Sequence, residues 1–215
     1  FLMKHILILT TVVFLFSCKE KKQQTLKDKQ SEIETGSLDS ASRYVADEIG
    51  WATVLPNGWE VQTREDSKKN IEKGKKEIEK ELNVVVDDSG LQQLLNLKKD
   101  KFNSFLSTIE PFNEKETGPY KEHNQKIYDV MKDTYAGKGI NATYTEDTAT
   151  IDGLTFYVLK VKIYKPDSKE ILLNQTMYSR LINGYDFGMT LNYNDEGSLK
   201  ELEKTVFNSK FSKRE

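Results

Sequence analysis

The sequence predicts an α+β fold: a single domain over residues 49–215 built on one largely antiparallel sheet of six or seven strands, with helices packed on it. Three observations carry that prediction. Residues 65–82 and 119–137 place apolar side chains at helical spacing. Four segments between residues 140 and 193 follow, alternating apolar and polar with period two, and Asp152-Gly153, Pro166-Asp167-Ser168 and Asn183-Gly184 join them as short antiparallel turns. A final helical run after Ser198 closes the domain, and no internal repeat or composition break marks a second one.

In chain order, Trp51 to Leu55 reads as a strand, Pro56-Asn57-Gly58 as a turn, and Trp59 to Thr63 as a returning strand, so an opening hairpin is expected. The helix at 65–82 carries only a narrow apolar stripe of Ile71, Ile78 and Leu82, with Glu65/Lys69 and Glu72/Lys76 as i,i+4 pairs outside it. An exposed helix lying across the sheet fits that pattern. Val84-Val85-Val86 is ambiguous, and residues 91–95 are helical or extended. Residues 95–109 read as a hairpin turning at Lys99-Asp100-Lys101. Pro119 then opens a helix in which Tyr120, Ile127, Tyr128, Met131 and Tyr135 recur at helical spacing up to Gly137. In the second of the four strands Tyr157, Leu159, Val161 and Ile163 share a face. In the last, Tyr185, Phe187, Met189, Leu191 and Tyr193 share one face, and Asp186, Gly188, Thr190 and Asn192 the other. Ser198-Leu199-Lys200-Glu201 has the capping-box pattern, with Leu199, Leu202, Val206 and Phe207 directed at the sheet.

The N-terminal residues have a different character. Lys4 and His5 precede an apolar run of eleven residues, 6–16, too short to span a hydrocarbon core that needs about 20. The run ends at Leu15-Phe16-Ser17-Cys18, which resembles the lipobox of bacterial lipoproteins: residues 1–17 are then a cleaved signal peptide and Cys18 the lipidated first residue. Stable anchoring takes at least two acyl chains, and the resemblance implies three. Cys18 is the only cysteine, so disulfides, thiol catalysis and cysteine-based metal sites are excluded once it is acylated. Residues 18–48 are rich in Lys, Gln, Glu, Ser and Asp, with Leu26, Ile33, Leu38, Tyr44 and Val45 as sparse hydrophobes. They read as a disordered tether, with room for one short helix at 38–49. Cleavage removes Lys4 alone from 32 basic residues, leaving 31 against 34 acids and a net charge of −3. That balance gives no reason to expect nucleic acid as a partner.

Leu55-Pro56-Asn57-Gly58-Trp59, the central helix, the meander and a last helix ending near Phe207-Asn208-Ser209-Lys210-Phe211 together resemble the PsbP-like superfamily, which includes the extrinsic P protein of photosystem II and a Mog-type import factor. The resemblance covers residues 49–212. Phe102 to Pro111 and Ser179 to Gly188 also resemble lipoproteins of Bacteroidota. The superfamily implies a binding or assembly module more than one reaction, and it carries no functional residue onto this chain.

Chemistry-bearing motifs are few. The mature chain keeps one histidine, His123, between Glu122 and Asn124 on a helix, where it reads as a surface residue. No nucleophile elbow, His-Glu-x-x-His pair, phosphate loop or Cys/His spacing occurs, so no catalytic residue, metal ligand or cofactor is assigned. Asp186-Phe187-Gly188 matches a kinase tripeptide without its context. Asp87, Asp88 and Asp100 fit no calcium loop. The last hairpin offers the candidate binding surface. Its two-residue turn sets Leu181 opposite Asp186 and Ser179 opposite Gly188 on a polar face, whereas Arg180 stands on the other face among Tyr178 and Tyr185.

These readings lead to a lipid-anchored envelope protein, most simply of the outer membrane, with its periplasmic or surface orientation open. Its domain acts as a non-catalytic binding or accessory module for an envelope protein or small ligand. A carboxylate-based hydrolase and a structural or stress-related spacer are the alternatives.

Overall fold

Residues 24–48 belong to the folded body and not to a tether. The computed structural model describes residues 24–212 and the backbone of Met3–Lys4. The elements begin with β1 (Met3–Lys4), α1 (Leu26–Glu32), β2 (Ser37–Leu38), β3 (Arg43–Ala46), β4 (Trp51–Val54), β5 (Glu60–Val61) and α2 (Arg64–Leu82). There follow β6 (Val86–Asp87), β7 (Gln92–Gln93), β8 (Leu97–Lys98), β9 (Ser104–Pro111), α3 (Glu114–Thr117) and α4 (Tyr120–Gly137). The chain closes with β10 (Ala142–Ile151), β11 (Leu154–Tyr164), β12 (Ile171–Ile182), β13 (Tyr185–Tyr193), α5 (Glu196–Phe207) and β14 (Lys210–Phe211).

Few hydrophobes suffice to order residues 24–48, because a strand on a packed sheet buries only alternate side chains. Thr25 and Asp28 form a reciprocal capping box that starts α1, with bonds of 2.9 and 3.2 Å. Ile33, Tyr44 and Ala46 then enter the main core, and the Tyr44 ring meets Trp51 edge-on at 5.3 Å. The Tyr44 hydroxyl donates to the Thr35 carbonyl at 2.6 Å; burial first, and nearby Glu48 second, push its phenol well above the usual range. The order of this segment does not show in its own composition, because the partner of β3 is β4, which follows it in sequence and pairs with it antiparallel.

Two antiparallel sheets result. The smaller runs β14-β4-β3-β2; the larger runs β10-β11-β12-β13-β9-β8-β5, with β7 also on β9. The expected opening hairpin does not form. β4 pairs with β3 and β14, whereas β5 pairs with β8, so the turn at Gly58 (φ 78°) carries the chain from one sheet to the other. Trp59 decides this: its ring is buried, and its Nε1 donates to Glu201 at 2.9 Å. The later hairpins match expectation. Asp152-Gly153 and Asn183-Gly184 both take positive φ at their two central residues, and Leu181, Ser179, Met177 and Gln175 face Asp186, Gly188, Thr190 and Asn192.

The main core lies between the two sheets and α5. Trp51, Phe105, Phe156, Phe187, Leu202 and Val206 are all buried there. Phe207 is 45% exposed and only flanks this core. The α5 cap is also shifted from its expected place: Asp195 is the N-cap, its Oδ1 accepting from the Ser198 amide at 2.8 Å. The opposite face of the large sheet is covered by α4, whose Tyr128, Met131 and Tyr135 meet Leu159, Val161, Ile163 and Met177. α2 packs on α4 through Ile78, Ile71, Leu82 and Val130, and not across the sheet as its stripe suggested. The molecule is therefore layered: small sheet with α5, large sheet, α4, α2. Among the described residues no helix is long and apolar enough to cross a membrane.

Candidate functional site

From Asp186 to Thr190 the polar face of β13 does not meet solvent. Asp186 and Gly188 are buried beneath α4, so the hydrated face expected from the alternation of the last hairpin is instead an interior. β9 sets Glu110 beside Asp186 and Thr108 beside Gly188, and β12 sets Ser179 on the other side. From above, α4 directs Tyr120, His123, Asn124, Ile127 and Tyr128 inward, all buried. His123 is thus an interior residue, only 5% exposed, and not the surface histidine its neighbours Glu122 and Asn124 suggested.

Around Asp186 the geometry is specific. The Tyr120 hydroxyl donates to Asp186 Oδ1 at 2.7 Å, and His123 Nε2 lies 3.4 Å from Asp186 Oδ2. Burial, then the Asp186 charge, push the Tyr120 phenol well above its usual range, so it stays a proton donor. The Tyr128 phenol is raised chiefly by burial; its hydroxyl lies near Asn124 and Ser179 without reaching hydrogen-bond geometry with either. His123 Nε2, Asn124 Oδ1, Tyr128 Oη and Asp186 Oδ2 are buried without a direct protein hydrogen bond. The Phe112 ring closes one side, 4.6 Å from the imidazole, and Tyr157 packs on Tyr120 at 6.1 Å. Carboxylate, imidazole and phenol are proton-transfer groups, but here they face one another under a helix. Their geometry fastens α4 to the sheet.

The other candidate residues lie on the core side. Tyr178 is buried with its ring edge-on to Phe207 at 6.1 Å, and burial followed by Glu203 and Tyr193 raises its phenol. Arg180 Nη1 donates to the Thr155 carbonyl at 2.5 Å, so the guanidinium serves the sheet backbone. Tyr185 is half-buried at the turn, opposite Ile182 and Pro111. The five residues therefore divide: Tyr178, Arg180 and Tyr185 on one face, Asp186 and Gly188 on the other. Cys18 lies outside the described residues.

The acids read as cation candidates do not converge. Asp88 pairs with Lys75 at 2.6 Å, Asp87 accepts from the Ser89 amide, and Asp100 accepts from Phe102 and Asn103. Among the described residues no three His, Cys, Asp or Glu side chains are placed to hold a metal ion. An open depression of about 670 Å³ lies between the end of α4 and the β11–β12 turn, lined by Lys138, Ile140, Ile163, Tyr164, Lys169 and Leu172 among others.

Sequence reasoning missed His123 and Tyr120 as partners of Asp186. The signal was present: His123 is three residues after Tyr120 and four before Ile127, inside the same helical stripe.

Two layered antiparallel sheets with helices on the larger one define a PsbP-like α+β fold. Among solved structures the chain is similar to cyanobacterial PsbP (CyanoP) from Synechocystis sp. PCC 6803, in solution. The match has a TM-score of 0.50 and 15% identity and covers 83% of this chain and 97% of that one. At that identity the likeness describes the fold alone. No protein-family model matches the chain, and no curated protein matches it.

Proposed function

We propose that this chain is a lipid-anchored protein of the bacterial cell envelope whose PsbP-like domain is a non-catalytic accessory module. The observation that carries the reading is Leu15-Phe16-Ser17-Cys18 behind a basic and apolar leader. Two features of the domain support it. The proton-transfer groups around Asp186 are buried under α4. The open depression beside Lys138 and Lys169 includes one acid, Asp167, where a two-carboxylate hydrolase needs a facing pair. A partner protein or small ligand of the envelope is what such a module would bind.

Metabolic labelling with a clickable fatty acid tests the anchor. The expected result is a labelled chain in the membrane fraction, with label and membrane association both lost in Cys18→Ala. An unlabelled chain, or label surviving the substitution, would overturn it. Turnover in a hydrolase substrate panel would overturn the non-catalytic part.

A further inference from the structure

Less chain joins the anchor to the domain than composition suggests. Gln24 is already fixed: its side-chain amide accepts from the Val61 amide at 2.8 Å and donates to the Val61 carbonyl at 2.9 Å, which clamps it to edge strand β5. α1 follows, and Arg64 Nη2 holds the end of that segment by donating to the Ile33 carbonyl at 2.7 Å. Cys18 and Gln24 are six residues apart. In any conformation that length spans at most about 22 Å. A body of residues 24–212 has a radius of gyration of about 16 Å, hence a width of about 40 Å. Even fully extended, the link is only about as long as the radius of the body it holds. Whether the domain rests on the bilayer or rides above it, Gln24 lies no higher than about the mid-height of the body, and lower whenever the link is not fully extended.

The far end of the sheet is fixed by topology. β10 is the opposite edge, six strand spacings from β5, or about 29 Å. It pairs with β11 over ten consecutive residues, and among the described residues no strand covers its outer side. At the near edge, Leu26 on α1 is a large apolar side chain left 41% exposed, as suits a surface beside lipid headgroups.

We infer that in the anchored chain the β5–α1 edge faces the lipid surface and the β10 edge points away from it. This rests on the proposed acylation of Cys18.

The test uses the full lipidated chain, purified from membranes and reconstituted in phosphatidylcholine liposomes carrying an acceptor dye on the headgroup. A donor dye is placed at Lys27→Cys on α1 or Thr145→Cys on β10, both exposed positions. Energy transfer is expected to be several-fold stronger from position 27. A long flexible Gly/Ser insert after Lys22 is expected to remove most of that difference. Equal transfer from both positions, stronger transfer from position 145, or a difference indifferent to the insert would overturn the orientation while leaving the anchor intact. A chain that does not float with the liposomes would overturn the anchor, and the orientation with it.

Discussion

Phe105 and Phe187, covered by Trp51 of the small sheet, fill one face of the large sheet with rings, while the other face of its strands carries Thr108, Ser179 and Asp186 beneath α4. Both faces are buried, but by different means. On the first, Trp51 lies 5.1 Å from Phe187 and 6.4 Å from Phe105, and nearly every contact is apolar area removed from water. On the second, an apolar patch around Met131 and Val161 adjoins a polar one, where burial of Asp186 and His123 costs desolvation that only a few hydrogen bonds offset. The first face supplies stability. The second fixes where α4 sits.

Substitutions of graded size test that contrast. Phe187→Ala should be the most damaging, costing about 3–5 kcal/mol in chemical denaturation, because it opens a cavity among Trp51, Phe156 and Phe211. Tyr120→Phe should cost less, about 1–3 kcal/mol, since it removes one buried bond to a carboxylate while keeping the ring. A cost equal to that of Phe187→Ala would show the polar face to be a principal source of stability. Asp195→Ala should cost about 1 kcal/mol through the lost α5 cap, read from denaturation midpoints.

The smallest effect is pH-dependent. Lys99, by its hydrogen bond, and then Trp59 hold the Glu201 carboxyl below its usual range. A carboxyl depressed in the folded state contributes stability above its unfolded pKa and loses it as pH falls through the lower folded value. The Glu201 side chain is 39% exposed, so screening keeps this contribution small. Glu201→Gln should slightly reduce the loss of thermal stability on acidification, and added salt should erase the difference from the unsubstituted chain.

Local signals in the sequence translated into structure most directly. Asn183-Gly184 and Asp152-Gly153 set two hairpins and their registers, and the stripe from Tyr120 to Tyr135 marked α4. What stayed illegible depends on distant partners. Residues 37–46 look like a linker until β4 is there to pair with them. The opening turn looks like a hairpin until Trp59 is buried and bonded to Glu201, far along the chain. The polar alternation on β13 looks like a wet face because no apolar pattern announces a helix above it; the partners of Asp186 are a tyrosine and a histidine, which apolar periodicity undercounts. Sequence placed Asp186 and Gly188 on one face and Arg180 on the other, and only the packing of α4 made the first of these an interior.

The point at which the folded body begins sets how closely an anchor at Cys18 can hold it. Hydrogen exchange on the full membrane-held chain measures this directly. Amides of β3, paired with β4 and backed by buried Tyr44 and Ala46, should be protected as strongly as those of β13. Exchange of residues 24–46 at the rate of an unstructured chain would contradict it and return them to a long, free tether.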